Sequence, residues 1–249
     1  MAELKPPLYT STGELFQLVR IYYHVFNQPS VLRMFKKLRC VDFDPTRNRW
    51  VWLFEHEAKK LQLGKPYNEV SQQSQSIVIG AFTFRGNDQM LLDVRSVERA
   101  TQAIEFFDKR MNRRMAEVTN LRILNKLFEG TPAKLQQLLQ QSSDVFFDRD
   151  DIVRSGEALM EKIEEFKKEE DINTRRRQAL AWIEQHAQAP LPEVEEMPTH
   201  FYEEGIEPLK LSLKLRQMEL MERWHGKKGA NVLNIIKKLA TGIKSKNLS

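Results

Sequence analysis

The chain has 249 residues, a single cysteine and a formal net charge of +5 at pH 7. One cysteine excludes an intramolecular disulfide and any metal cluster built from several cysteines. No apolar run reaches the roughly 18 residues of a membrane-spanning helix, and the amino terminus lacks the pattern of a secretory signal. We therefore expect a globular, cytoplasmic protein of one large or two small domains, without a transmembrane segment.

The first forty residues predict two helices, or one helix kinked at residues 27–29. Ser11 and Glu14 form a capping box. Apolar residues then recur at helical spacing: Leu15, Leu18, Val19, Tyr22, Tyr23 and Phe26. Pro29 interrupts this pattern, and Ser30 is expected to start the second helix.

Two β-hairpins are predicted next. The first spans residues 39–54 and turns at a Pro- and Asn-containing loop. The second contains Gly86-Asn87, which suits a type II′ turn and would pair Phe84 with Gln89. In that register one face of the second hairpin is apolar (Ile79, Ala81, Thr83, Met90, Leu92, Val94) and the other is mixed (Val78, Gly80, Phe82, Phe84, Gln89, Leu91, Asp93, Arg95).

An amphipathic helix follows the second hairpin. Ser96 is a good N-cap, and five apolar residues lie on one stripe of the helix: Val97, Ala100, Ile104, Phe107 and Met111. We expect this stripe to pack on the apolar face of the hairpin, and a returning strand at 115–124. The hairpin, the helix and the returning strand together resemble half of a ferredoxin-like sandwich.

These elements predict an α+β fold. Two hairpins and the returning strand form a small antiparallel sheet, which is packed by helices and followed by a mainly helical C-terminal half. The expected organisation is an α+β domain at 1–130, a helical extension packed on it at 131–189, a Pro/Glu-rich linker at 190–208 and a basic helical segment at 209–249. The last segment has ten Lys and Arg residues against two Glu, so the positive charge is concentrated there.

Two clusters of cations are candidate binding sites for a polyanion. The first lies at the end of the helix that Ser96 caps, and it contains Lys109, Arg110, Arg113 and Arg114. The second lies in the C-terminal segment, and it contains Lys227, Lys228, Lys237, Lys238 and Lys244. Cations at a helix C-terminus also complement the helix dipole, so the first cluster has a structural alternative.

The C-terminal segment also carries an amphipathic pattern. An apolar stripe, flanked by the lysines, contains Val232, Ile235, Ile236, Leu239 and Ile243. A basic amphipathic helix can lie on an acidic membrane surface or bind another protein. The alternative is that this helix docks on its own domain.

Phe82 and Phe84 are a candidate aromatic platform. Residues 80–84, followed by Arg85, are faintly similar to the aromatic strand of RNA-recognition domains, where bases stack on side chains. The order of elements differs, because in those domains the aromatic strand directly precedes the second helix. The alternative is that the N-terminal helices or the strand at 50–54 cover this face.

No residue pattern commits the chain to a reaction. His56-Glu57 lacks the second histidine of a zinc-protease motif, since residue 60 is lysine. Cys40 has no histidine close by in the sequence, and we expect no cofactor and no metal. The sequence therefore predicts a non-catalytic protein that binds a polyanion through the basic C-terminal segment, with RNA or DNA slightly ahead of an acidic membrane surface. A peripheral membrane assembly factor and an enzyme of unknown class are the alternatives.

Overall fold

The fold is α+β, as predicted, and it is built around a mixed sheet that has eight strands in the described part of the chain. The computed structural model describes residues 5–70, 76–187 and 189–246, with the side chains of 155–160, 186, 187 and 241–246 left out. The strands are β1 (Val19–Val25), β2 (Val41–Asp44), β3 (Arg49–Leu53), β4 (Val78–Arg85), β5 (Gln89–Val94), β6 (Ala116–Leu124), β7 (Val153–Arg154) and β8 (Val194–Pro198). Their order is β2-β3-β4-β5-β1-β6-β8-β7. Only β7 and β8 pair in parallel among these neighbours, so the sheet is larger than the small antiparallel one that was predicted.

Helices surround this sheet. Their bounds are α1 (Gln28–Lys37), α2 (Val97–Asp108), α3 (Pro132–Gln140), α4 (Asp144–Phe147), α5 (Ser155–Lys167), α6 (Ile172–Ala187), α7 (Phe201–Glu204), α8 (Glu207–Trp224) and α9 (Val232–Lys246), with short 3₁₀ turns at His56–Lys60 and Tyr67–Glu69. The main core lies between one face of the sheet and helices α1, α2 and α8.

The central strand β1 replaces the first predicted helix, so that prediction is wrong. β1 pairs with β5 on one side and with β6 on the other. Val19 and Tyr23 are buried on the core face and Tyr22 on the opposite face. Both faces of this central strand are covered, so apolar residues occupy most of its positions. Some of them are therefore three and four residues apart, which is also the spacing of an amphipathic helix. The second helix is confirmed as α1, although Asn27 rather than Ser30 caps it.

The capping box of Ser11 and Glu14, predicted at the start of the first helix, is also wrong. Glu14 is fully buried and accepts hydrogen bonds from the hydroxyls of Thr10 and Thr12. Its second carboxylate oxygen lies 3.4 Å from Nε of Arg99 on α2. The carboxylate therefore ties the N-terminal loop to α2 instead of capping a helix.

The register of the β4–β5 hairpin differs from the prediction by one residue. Arg85 pairs with Gln89 across a three-residue loop, 86–88, which Gly86 enters with a φ of +63°. Phe82 consequently pairs with Leu92. Since side chains alternate along a strand, the one-residue shift places Phe82 on the core face with Leu92.

Helix α2 packs on the sheet as predicted. Ser96 caps it by accepting a hydrogen bond from the N–H of Arg99. All five stripe residues are buried: Val97, Ala100, Ile104, Phe107 and Met111. The ring of Phe107 lies 4.8 Å from that of Phe82 and 5.1 Å from that of Trp52. The returning strand is confirmed as β6, and it pairs with β1 rather than with the hairpin.

The stretch 190–208 was predicted as a linker, but its centre is strand β8 in the sheet. Two of its acidic residues, both on β8, pair with arginines of the fold. Glu196 binds Arg122 at 2.6 Å, and the buried Glu195 binds Arg216 of α8 at 2.8 Å. The charges of these two glutamates are thus neutralised inside the fold.

Candidate anion-binding surfaces

The predicted cluster at the end of α2 lies in the loop 109–115 that leads into β6. Arg110 folds back onto the helix: its guanidinium lies 3.5 Å above the ring of Phe106 and donates a hydrogen bond to the carbonyl of Phe106 at 2.6 Å. A cation at this end complements the helix dipole. Arg110 therefore has the capping role that was the structural alternative.

The other three cations of this loop point outward. The guanidinium of Arg113 lies 4.0 Å from the centre of the Tyr202 ring. Tyr202 is itself held, because its hydroxyl accepts a hydrogen bond from the N–H of Val118 at 2.9 Å. Lys109 and Arg114 are exposed. In the described part of the chain these three side chains form no ion pair with a carboxylate, so their charges remain available.

The C-terminal lysines have acidic neighbours. Lys227 and Lys238 both contact Glu222, at 3.1 Å and 2.9 Å. The hydrogen bond from Lys238, and to a smaller extent that from Lys227, holds the pKa of Glu222 below its usual range. Lys237 lies 4.0 Å from Glu184. Lys228 is exposed in the turn before α9, and the side chain of Lys244 lies outside the described residues. Much of the C-terminal positive charge is therefore compensated locally.

The apolar stripe of α9 is only partly buried. Ile235 is 1% exposed, whereas Ile236 and Leu239 are 43% and 45% exposed. Val232 is half-buried, and the side chain of Ile243 lies outside the described residues. The helix thus docks on the protein through its first turn and leaves part of its stripe open to solvent.

The aromatic platform is covered. Phe82 is fully buried, with ring centres of Phe35 at 4.7 Å and Tyr23 at 6.4 Å. Phe84 is half-buried against the same core. Helices α1 and α2 cover this face, so Phe82 offers no exposed ring on which a base could stack.

A charged cluster on the opposite face of the sheet was not predicted. Arg20 of β1 is 2% exposed and binds both oxygens of Asp93 on β5. Asp144 and Asp148, from α4 and the residue after it, bind both Arg20 and Arg85. Burial alone would lower the pKa of Arg20, but the hydrogen bonds and charges of Asp93 and Asp144 raise it above its usual range.

The alternation Leu18-Arg20-Tyr22 could have revealed that cluster if the segment had been interpreted as a strand. The acidic partners could not have been found, because Asp144 and Asp148 lie more than a hundred residues away in the sequence. The apolar residues in 15–26 also fit helical spacing, and this favoured a helix over the strand that the alternation indicates.

Cys40, His24 and His56 lie in different environments. Cys40 is buried, and burial raises the pKa of its thiol to about 12, with Glu57 adding to the effect. His24 and His56 lie on the surface. No set of three His, Cys, Asp or Glu side chains in the described ranges is placed to hold a metal. A helix long and apolar enough to cross a membrane is likewise not found among them.

Comparison with known proteins does not assign this chain to a family. No protein-family model matches the sequence, and neither a curated protein nor a solved structure matches the chain significantly.

Proposed function

We propose that this chain is a non-catalytic protein that binds the phosphate backbone of RNA or DNA through the loop 109–114. The observation that supports this is a contrast between the two basic clusters. Lys109, Arg113 and Arg114 form no ion pair with a carboxylate in the described part of the chain, whereas Lys227 and Lys238 both contact Glu222. Uncompensated cations on one short loop attract phosphates and release their counterions.

The geometry of the loop suits phosphate contacts. The guanidinium of Arg113 lies 4.0 Å from the centre of the Tyr202 ring, and among the described residues its N–H groups donate no hydrogen bond. A planar guanidinium held in this way can donate two hydrogen bonds to one phosphate. Lys109 and Arg114 add charge on flexible stems, which favours binding that does not depend on base sequence.

The experiment is a fluorescence-anisotropy titration of a labelled single-stranded oligonucleotide. The test variant is Lys109→Gln/Arg113→Gln/Arg114→Gln, which leaves Arg110 at the helix end. A matched control, Lys168→Gln/Arg176→Gln/Arg177→Gln, removes the same charge from exposed positions around α5 and α6. We expect only the loop variant to lose most of its affinity; equal affinities for the two variants would contradict the proposal.

The C-terminal segment is a second surface within the same proposal. Lys237 pairs with Glu184, and Lys238 pairs with Glu222. Both lysine side chains are exposed, and ion pairs with exposed partners contribute little stability. A phosphate could therefore compete for these lysines. Lys237→Glu/Lys238→Glu should weaken binding less than the loop variant, and no weakening at all would remove this surface from the proposal.

A membrane-surface role is the second candidate function, and the exposure of Ile236 and Leu239 beside Lys237 favours it. Such a role would place a cytoplasmic protein at the periphery of a membrane. Flotation with vesicles rich in phosphatidylserine tests it. Ile236→Ser/Leu239→Ser, which spares the buried Ile235, should abolish flotation, and unchanged flotation would exclude α9 as the anchor.

A further inference from the structure

Arg20 and Arg85 hold two carboxylates between them on the face of the sheet opposite the main core. Oδ1 of Asp144 accepts hydrogen bonds from Nη2 of Arg20 at 2.8 Å and from Nη2 of Arg85 at 2.7 Å. Oδ1 of Asp148 accepts from Nη1 of Arg20 at 3.2 Å and from Nη1 of Arg85 at 3.0 Å. Arg85 also binds the other oxygen of Asp148. Two guanidinium groups thus converge on one cluster of anionic oxygens.

We propose that Arg20 and Arg85 form a binding site for a phosphoanion, and that Asp144 and Asp148 fill this site in the free protein. The guanidinium fork matches the oxygens of phosphate as well as those of carboxylate. Two such forks aimed at the same oxygens can bind a single phosphate group. The site is separate from the loop 109–114 and does not depend on the function proposed for that loop.

The two carboxylates are placed where they can be displaced. The side chains of Asp144 and Asp148 are 52% and 37% exposed, and that of Arg85 is 37% exposed. The pairs that Arg85 forms with Asp144 and Asp148 are exposed on both partners, and such pairs are weak because water competes for both. An incoming anion can therefore reach Arg85 from solvent and exchange with the carboxylates.

Displacement of the carboxylates would not leave the buried Arg20 without a partner. Its Nε and Nη2 remain bound to the two oxygens of Asp93, at 2.7 Å and 2.9 Å. With Asp144 and Asp148 turned away, Arg20, Arg85 and Asp93 together carry one net positive charge. The site then attracts an anion without requiring a second buried charge to be compensated.

Helix α4 can stay in place during the exchange. Its residue Phe147 is fully buried among apolar side chains, and the carbonyl of Phe147 accepts a hydrogen bond from Arg122 at 2.6 Å. The ring of Phe147 also faces the guanidinium of Arg20 at 5.3 Å. These contacts do not involve the carboxylates, so rotation of two aspartate side chains is enough to open the site.

The test is calorimetric titration of the full chain with inorganic tripolyphosphate. Asp144→Asn/Asp148→Asn should bind it at least about tenfold more tightly than the wild-type protein, because the internal anions no longer compete. Arg85→Gln in the same background should remove the gain. Asp88→Asn/Asp150→Asn makes an equal change of charge at exposed positions nearby and should have little effect.

Equal affinities of the wild-type protein and Asp144→Asn/Asp148→Asn would overturn the proposal. So would a gain that persists after Arg85→Gln or that the control also shows. Should the double variant fail to fold, the single Asp144→Asn variant is titrated in its place. A parallel titration with oligouridylate separates the two sources of phosphate: a gain there too indicates a nucleic-acid backbone, and a gain with tripolyphosphate alone indicates a free phosphoanion.

Discussion

Arg216 of α8 donates hydrogen bonds from Nε and Nη2 to the two carboxylate oxygens of Glu195 on β8, each at 2.8 Å. The side chain of Glu195 is 1% exposed. This pair joins the acidic stretch before residue 208 to the basic stretch after it. The opposite charges of the two stretches therefore form a structural contact between α8 and the sheet.

Glu195→Ala should destabilise the protein by about 3 kcal/mol, because it removes the two shortest contacts of a mostly buried Arg216 and leaves it the longer one, 3.4 Å, to Glu219. Glu207→Ala removes a carboxylate that is 81% exposed from its pair with Lys210, and it should cost less than about 1 kcal/mol. Urea unfolding of both variants measures the difference. Similar losses would show that the Glu195 pair is not a structural contact.

Phe82→Ala should destabilise the fold by about 3–5 kcal/mol, since it opens a cavity between α1, α2 and the sheet. Phe43→Ala, at a ring that is 42% exposed, should cost far less. Thermal unfolding compares the two. If Phe82→Ala instead weakened oligonucleotide binding without loss of stability, Phe82 would act as a platform after all.

The carboxylate of Glu14 should make stability depend on pH. Burial alone would raise its pKa, but Arg99, Thr10 and Thr12 outweigh burial and hold the pKa of Glu14 below its ordinary value of 4.5. A lowered pKa in the folded state gives stability that is present above pH 4.5 and is lost as the pH falls through the folded pKa.

Glu14→Gln isolates this contribution. At pH 7 the variant should be less stable than the wild-type protein, and the difference should shrink as the pH falls below about 4.5. Urea unfolding at several pH values between 7 and about 3 measures it. A difference that stays constant over this range would contradict the assigned role of Glu14.

Gly64→Ala should destabilise the N-terminal loop. A Cβ atom at this position would lie 2.8 Å from the backbone carbonyl oxygen of Thr12 and 2.8 Å from the carbonyl carbon of Gly13. Because both contacts are with backbone, the loop that carries Glu14 would have to move. Loss of protection of the nearby amides in hydrogen exchange would show this, and an unchanged exchange pattern would contradict it.

Local signals predicted much of the α+β unit. Ser96 and the stripe of α2 were assigned correctly, since a cap and a helical stripe are properties of neighbouring residues. The register of β4 and β5 was wrong because the turn is one residue longer than Gly86-Asn87 indicates. Strand β8 was missed because its glutamates are neutralised by Arg122 and Arg216, whose positions only the fold brings near.

The candidate sites also differ in whether neighbouring residues or distant parts of the chain form them. The loop 109–114 could be named as a candidate from the sequence, because its cations are consecutive or nearly so, and its role in binding stays a prediction. Sequence alone could not show that Lys227 and Lys238 both contact Glu222, since Lys238 is sixteen residues from it. The site of Arg20 and Arg85 depends on a strand that was interpreted as a helix and on carboxylates far along the chain.

The salt dependence of oligonucleotide binding tests the proposed function most directly. Affinity for a single strand falls with salt in proportion to the number of phosphates neutralised, by a slope of about 0.7 for each contact. Lys109→Gln/Arg113→Gln/Arg114→Gln should therefore reduce the slope of log K against log salt by about 2 between about 50 and 200 mM salt. Lys168→Gln/Arg176→Gln/Arg177→Gln should leave the slope unchanged. Equal slopes for the loop variant and the wild-type protein would contradict the assignment of the loop 109–114 as the nucleic-acid surface.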